Sequence, residues 1–551
     1  MRIDPIEFEI FKNLFVSVAE EMGVTLCRTS FSPNIKERLD YSCALYDAAG
    51  RTIAQGDHLP VHLGAMPLSV QAAIDHIVME PGDMVILNDP FRGGTHLPDI
   101  TLVAPIFLSN KRNAKPAFFV ANRAHHSDVG GMSPGSMPLA REIFQEGLIL
   151  PPVRLLKRGT IDPEILALIL ANVRTPVERE GDLTAQIAAN QIGVARLLRM
   201  VKRYSLRKVD AYASAAQNYA ERVLRRTIAD IPDGRYEFAD ALDNDGFSDT
   251  PINIRCAITI ASNQATVDFT GSDPQTSGGV NANLAITLSA TLYCFRCLVE
   301  EDVLYNDGIR RAVHVIAPAG SVVNARHPSA VAGGNVECSQ RITDVVLGAL
   351  AQALPHRIPA ASQGTMNNIT LGGTDTRPCP THGQPFAYYE TAGGGMGGRP
   401  GLPGLSGVHT HMSNTRNTPI EALEQVLPLR ITTYALRQNS GGPGAFPGGE
   451  GLIREYEVLV PTSATILTDR RESQPYGAQG GSPGSPGRNT LVRSSKIPNG
   501  DIERTEHPLP AKACLELIPG DRLCLETPGG GGFGTSAVSP SDQNLDVEAT
   551  H

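Results

Sequence analysis

Apolar residues near the start of the chain recur at every fourth position: Ile6, Ile10, Leu14, Val18 and Met22, with Phe11 and Phe15 alongside. That period predicts an amphipathic helix over residues 5–26. From about Asp40 the pattern changes to short apolar runs broken by turn residues, CALYD, MVILND, ITLVAPIF and PAFFVAN, which read as strands of a buried sheet. Helical period returns in DPEILALILANV, opened by an Asp that can cap it, and continues through two long segments to residue 230. After the break at IPDGRYEF, the runs YEFADALD, INIRCAITIASNQATVDFTG and VHVIAPAGSVVNA predict a second, strand-rich region. Its helices are NLAITLSATLYCFRCLVEE and SQRITDVVLGALAQALP. A third region, rich in strands and glycine, runs to about 535, with REYEVLVPTSATILTD as its clearest strand pair.

The pattern therefore predicts a multidomain chain of mixed α/β (α+β) class. Residues 1–230 form an N-terminal region with a helical segment at 160–230. Residues 231–358 form a β-rich middle region with helices, 359–535 a glycine-rich C-terminal region, and 536–551 a polar, disordered tail. No internal repeat of solenoid period is present.

Composition adds little to this outline except in two respects. A net charge of -9 with interspersed signs argues against a nucleic-acid or anionic-membrane surface. No run is long enough to span a bilayer, and the acidic start lacks the features of a signal peptide, so the expected location is the cytoplasm. Nine cysteines scattered along the chain suit reduced thiols, and the single CxxC, Cys294 and Cys297, reads as helix packing. Tryptophan is absent, and 20 of the 54 glycines gather at 393–398, 441–451, 480–487 and 528–534, which suits tight, structured loops.

The candidate chemistry lies in four segments of the first region that end strand-like runs with His, Asp, Gly or Pro: KERLDYSCALYD, QGDHLPVHLG, NDPFRGGTHLPDI and ANRAHHSDVGG. A sheet can gather such ends at one place. His96 and Asp99, three apart after the Gly93-Gly94 turn, can face one ion; Asp40 and His125 complete a set of two imidazoles and two carboxylates. That set suits zinc or manganese first and iron next, better than calcium or magnesium. Such an ion can activate water near neutral pH or polarise a carbonyl. Chemistry alone does not separate His125 from His126, but neighbours on a strand face opposite ways, so one of the two ligates. Asp128 can orient an imidazole. His58 and His62 in HLPVH favour a structural role, and Asp89 a turn. His409, His411, Arg326, His327 and the GGNVE segment at 333–337 are further candidates to line the site. No GxxxxGK[ST] loop and no GxSxG elbow occur, so neither ATP binding by this chain nor serine catalysis is indicated.

In this order along the chain, KERLDYSCALYD, HLPVHLGAM, NDPFRGGTHLPDI, AHHSDVGG, EIFQEGLILPP, SGGVNAN, AVAGGNVECSQRITDVVLGAL, HMSNTRNTPIEALE and TPGGGGFG resemble the hydantoinase B/oxoprolinase family. The resemblance runs from about residue 3 to 534. It implies a hydantoinase B-like fold and a B-type subunit of an ATP-dependent cyclic-amide hydrolase acting on hydantoin, 5-oxoproline or another lactam. The implied partner is a hydantoinase A-type subunit in a hetero-oligomer; it binds ATP and phosphorylates the carbonyl oxygen of the substrate. The implied metal ligands are Asp40, His96, Asp99 and His125, with His126 and Asp128 handling protons. The related ketone carboxylases carry Glu at the position of Asp40, which favours the hydrolases. Pro447 stands where the family often has Arg, which weakens any anion contact from that loop. The alternatives are a ketone carboxylase subunit and a non-catalytic partner subunit.

Overall fold

A computed structural model describes residues 2–56, 58–109, 115–496 and 502–535. The predicted tail at 536–551 lies outside the described residues.

The N-terminal half is built on a seven-stranded antiparallel sheet. Its strands are β1 (Tyr41–Asp47), β2 (Thr52–Gln55), β3 (Met84–Leu87), β4 (Asp99–Ile106), β5 (Phe118–His125), β6 (Val153–Lys157) and β7 (Thr160–Ile161). They lie in the order β2-β1-β5-β4-β3-β6-β7. Every residue of β1, β4 and β5 is buried, because both faces are covered. This explains why these strands read as continuous apolar runs rather than as alternation. Cys43, Leu45, Leu102, Ala104, Phe118 and Val120 pack on one face, against the helices Pro5–Thr29 and Pro176–Tyr204. Ala44, Tyr46, Val103, Phe119 and Ala121 point the other way, toward the helix Met66–His76.

The first helix forms as predicted, capped by Asp4, whose carboxylate accepts from the amides of Ile6 and Glu7. Its buried seam differs from the predicted stripe. Phe11, Phe15, Val18, Met22 and Leu26 are buried, whereas Ile6 and Ile10 are 74% and 47% exposed. A strict four-residue repeat drifts around a helix of 3.6 residues per turn, so one sheet can hold only part of it. Asp162 caps Pro163–Ala171 as expected, accepting from the amides of Glu164 and Ile165.

A second core forms where the helices Leu284–Arg296 and Ser339–Ala353 pack with the strands Gly234–Leu242, Ile252–Ala261, Gln264–Asp268 and Val313–Ile316. Cys294 and Cys297 are both free thiols, at the end of Leu284–Arg296; Cys294 is buried, in accord with packing, whereas Cys297 is exposed. Ser339–Ala353 is entered through a π-helical turn, Gly334–Cys338. A third core lies between a four-stranded and a five-stranded sheet, the former comprising Asn368–Thr374, Pro385–Glu390, Thr462–Leu467 and Lys512–Leu517.

Beside these sheets the four glycine clusters interlock backbone to backbone. Gly398 N donates to Gly531 O, Gly449 N to Met396 O, Gly530 N to Gly449 O and Gly532 N to Ser482 O, at 2.8–2.9 Å. A Cβ on Gly395 would lie 2.1 Å from both Gly449 O and Gly530 N. Glycine is required there by approach, not by turn geometry.

Candidate metal centre

Three adjacent strand ends build the site. In the register of β4 and β5, Asp99 stands directly opposite His125. On the other side of β5, Tyr41 pairs with Ala124, and the His125 amide donates to Asp40 O at 3.0 Å. Asp40, His125 and Asp99 therefore form a row across β1, β5 and β4 on one face of the sheet, one strand spacing apart. His96 reaches the row from the turn before β4, where Gly93 has φ 92° and no room for a side chain against Leu68 O. Ligand atoms of His96, Asp99 and His125 lie within 4.8 Å of one another. Asp40 adjoins this trio, itself buried.

The electrostatics are those of a desolvated donor set. Burial and then the charge of Asp99 raise the Asp40 carboxyl to about 7, against the pull of Arg38. Burial also pushes Asp99 upward, but the imidazoles of His96 and His62 outweigh it and hold Asp99 well below the usual carboxylate range. Burial, with His96 adding to it, drives His125 well below the normal imidazole value. The ring nitrogens His96 Nδ1 and His125 Nε2 are buried without a hydrogen-bond partner, and the carboxylate oxygen Asp99 Oδ1 lies 3.3 Å from His96 Nε2. Leaving such groups unpaired costs about 1–3 kcal/mol each. A divalent cation is the partner whose chemistry matches two imidazoles and a carboxylate, so the residues present fit a metal.

Residues around the trio orient it. Asn34 Nδ2 lies 2.7 Å from His125 O and 3.0 Å from His125 Nδ1, while Arg38 holds the Asn34 carbonyl. Tyr389 stacks on His125, with ring centroids 4.4 Å apart and 6° between planes. Asn335 Nδ2 lies 3.1 Å from His96 Nε2. Thr95 donates its hydroxyl to Asp99 Oδ2. His62 belongs to this surround too: its Nε2 is 3.4 Å from Asp99 Oδ2 and its Nδ1 2.9 Å from Ser42 Oγ. The purely structural reading of HLPVH therefore missed a site neighbour. The segment does turn at its Pro, but Pro60–Leu63 then makes a short helix that aims His62 inward.

The other candidates separate. His126 occupies the opposite face of the sheet, its Nε2 3.0 Å from Gln186 Oε1 on the helix Pro176–Tyr204. Burial and the nearby Arg179 lower it to about 4. Asp128 is engaged by Arg174, through Nη1 and the backbone amide, both at 2.8 Å. The expectation that His126 and Asp128 move protons at the site is corrected accordingly, because strand alternation turns His126 away and the Arg174 guanidinium occupies Asp128. Asp89 is the expected turn residue, accepting from the Phe91 amide at 2.9 Å. His327 packs edge-on between Phe91 and Phe144. His409 and His411 are half-buried, each with Nε2 unpartnered, on a segment that meets the site's framework through Val61 N–Met412 O and Arg416 N–Arg38 O. Among the described residues, no helix is long and apolar enough to cross a membrane.

The fold is mixed α/β, of the hydantoinase B-like class. The chain belongs to the hydantoinase B/oxoprolinase family, whose model matches residues 4–536. An uncharacterized protein of Methanocaldococcus jannaschii is 40% identical over 99% of this chain and 92% of its own length. 5-Oxoprolinase 1 of Arabidopsis thaliana is 39% identical over 97% of this chain, which spans only 42% of that longer protein. The crystal structure of the ATP-dependent caprolactamase from Pseudomonas jessenii superposes with a TM-score of 0.87 at 27% identity, covering 97% of this chain and 92% of that one.

Proposed function

We propose that this chain is the B subunit of an ATP-dependent cyclic-amide hydrolase and holds one divalent metal, zinc or manganese, at Asp40, His96, Asp99 and His125. The observation that carries the reading is the buried trio His96, Asp99 and His125, whose ligand atoms lie within 4.8 Å of one another, in a chain matched over nearly its whole length by a caprolactamase. An amide is a poor electrophile because its nitrogen lone pair is delocalised over the carbonyl. An A-type partner that binds ATP would phosphorylate the carbonyl oxygen and so create a leaving group. The metal, when bound, supplies Lewis-acid activation of water or of the carbonyl. The chain's own residues keep the donor set in the protonation states that ligation needs. Burial holds His125 unprotonated, and Asp99 stays ionised beside two imidazoles. Burial also excludes bulk water, which strengthens every interaction inside the site.

The test is reconstitution with an A-type subunit, measuring ATP hydrolysis and ring opening over lactams, hydantoins and, with bicarbonate, ketones. Lactam- or hydantoin-dependent ATP hydrolysis, lost with Asp40→Asn or His96→Ala, is the expected result. Turnover that needs bicarbonate and a ketone would move the chain to carboxylase chemistry. Unchanged metal content and turnover in both variants would remove the metal centre from the reaction.

A further inference from the structure

We infer that the π-helical turn Gly334–Cys338 positions both imidazoles of the centre, Asn335 acting on His96 directly and Glu337 acting on His125 through Asn368 and Tyr389. This inference rests on the metal reading above. Asn335 Nδ2 lies 3.1 Å from His96 Nε2. Two residues on, Glu337 Oε1 accepts from Asn368 Nδ2 at 2.7 Å and from the Met366 amide at 3.1 Å. Asn368 Oδ1 accepts in turn from the Tyr389 hydroxyl at 2.9 Å. The Tyr389 ring then lies flat against His125. All four side chains are buried, so no water competes for these bonds and each is electrostatically strengthened.

The turn can serve both sides because of its geometry and its place. Single π turns inside helices are frequent at functional sites. Here the turn stands between the N-terminal sheet, which carries the ligands, and the strands Asn368–Thr374 and Pro385–Glu390, which carry Asn368 and Tyr389. An imidazole has a broad torsional well about its second side-chain bond. Asn34 fixes one edge of His125, and the Tyr389 face removes the remaining freedom to rotate. Asn335 does for His96 what Asn34 does for His125. Groups that orient a metal's ligands in this way typically account for a 10–100-fold change in metal affinity.

The experiment uses the full chain and three variants: Tyr389→Phe, which keeps the stacked ring and loses the hydroxyl; Glu337→Ala, which loses the acceptor; and Glu337→Gln, which keeps a carbonyl oxygen toward Asn368. Zinc affinity is read by competition with a chromophoric chelator, ligand geometry by the visible absorption of the cobalt(II) form, and folding by melting of the metal-free chain. Tyr389→Phe and Glu337→Ala are expected to bind zinc about tenfold or more weakly and to shift the cobalt bands, with Glu337→Gln close to wild type. Wild-type zinc affinity and cobalt spectra in Tyr389→Phe and Glu337→Ala, beside a His125→Ala variant that no longer binds zinc, would overturn the positioning role and leave the metal reading standing. Zinc binding that survives His125→Ala would overturn the metal reading and this inference with it. Affinity losses that follow only the lowered melting temperature, without rescue by Glu337→Gln, would reduce the turn to a packing element and overturn the inference.

Discussion

His125 ends β5 with Nε2 unpartnered and Nδ1 against Asn34, while His126, one residue on, bonds Gln186 across the other face of the sheet. On the proposed reading, removing the first imidazole deletes a ligand; replacing the second by a polar isostere changes a wall behind the site. His125→Gln is therefore expected to lose zinc binding, and His126→Gln to keep it within a few-fold, as measured by metal content and chelator competition. A second residue-scale prediction concerns Glu146, whose Oε1 accepts from the amides of Val331 and Ala332 at 2.8 Å. Burial raises its carboxyl to about 8, against those two bonds. A carboxyl with a raised folded pKa stabilises the fold fully below its unfolded value, near 4.5, and loses that contribution as pH rises through the folded value. Glu146→Gln mimics the neutral form at every pH. Denaturant unfolding from pH 5 to 9 should show the variant gaining on wild type up to about pH 8, by a few kcal/mol in order of magnitude, and no further gain above. A constant difference over that range would mean that Glu146 is already ionised in the fold.

At the scale of elements, the first helix and the glycine clusters make contrasting predictions. Phe15 is fully buried under the sheet and Ile10 is half exposed, although a four-residue repeat ranks Ile10 as the seam. Phe15→Ala should cost about 3–5 kcal/mol by urea unfolding, and Ile10→Ala well under 1 kcal/mol. The glycine clusters were legible as loops, but not as parts of one lattice. Nothing in a run such as GGGMGG says that its partners lie 50 and 130 residues further on, because backbone-to-backbone packing leaves no side-chain pattern to read. Gly395→Ala places a methyl group where two backbone atoms already stand, so it should destabilise by about 1–3 kcal/mol or more and lower the melting temperature. An unchanged melting temperature would mean that the lattice yields there.

At the scale of the whole molecule, a buried charge network joins the regions. Arg341 bonds Asp240 at 2.8 Å and Asp469 at 2.9 Å, Lys512 bonds Asp469 at 3.0 Å, and Arg470 bonds Asp344 at 2.8 Å. Asp469→Ala would strand the buried Lys512 and take from Arg341 one of its carboxylate partners, and should cost about 3–5 kcal/mol, read as a lowered urea midpoint. The same scale marks what could be known from residues alone. Family membership, the mixed α/β class, the strands of the first sheet and the convergence of His96, Asp99 and His125 were legible, because strand ends and turn chemistry are local and the motifs keep their order along the chain. The surround of the candidate metal centre was legible only at Asn335, which lies in the GGNVE segment read as a candidate to line the site. Asn34, His62 and Tyr389 come from three other segments, and their side chains carry no periodicity that marks them. His126 was read as a proton carrier at the site, yet the period of two along a strand sends it through to the other face, where it meets Gln186. Local propensity and motif order thus name the strands and the candidate site residues, whereas sheet register and the meeting of distant segments set which side chains share one space, since contacts of that kind exist only once the chain has closed on itself.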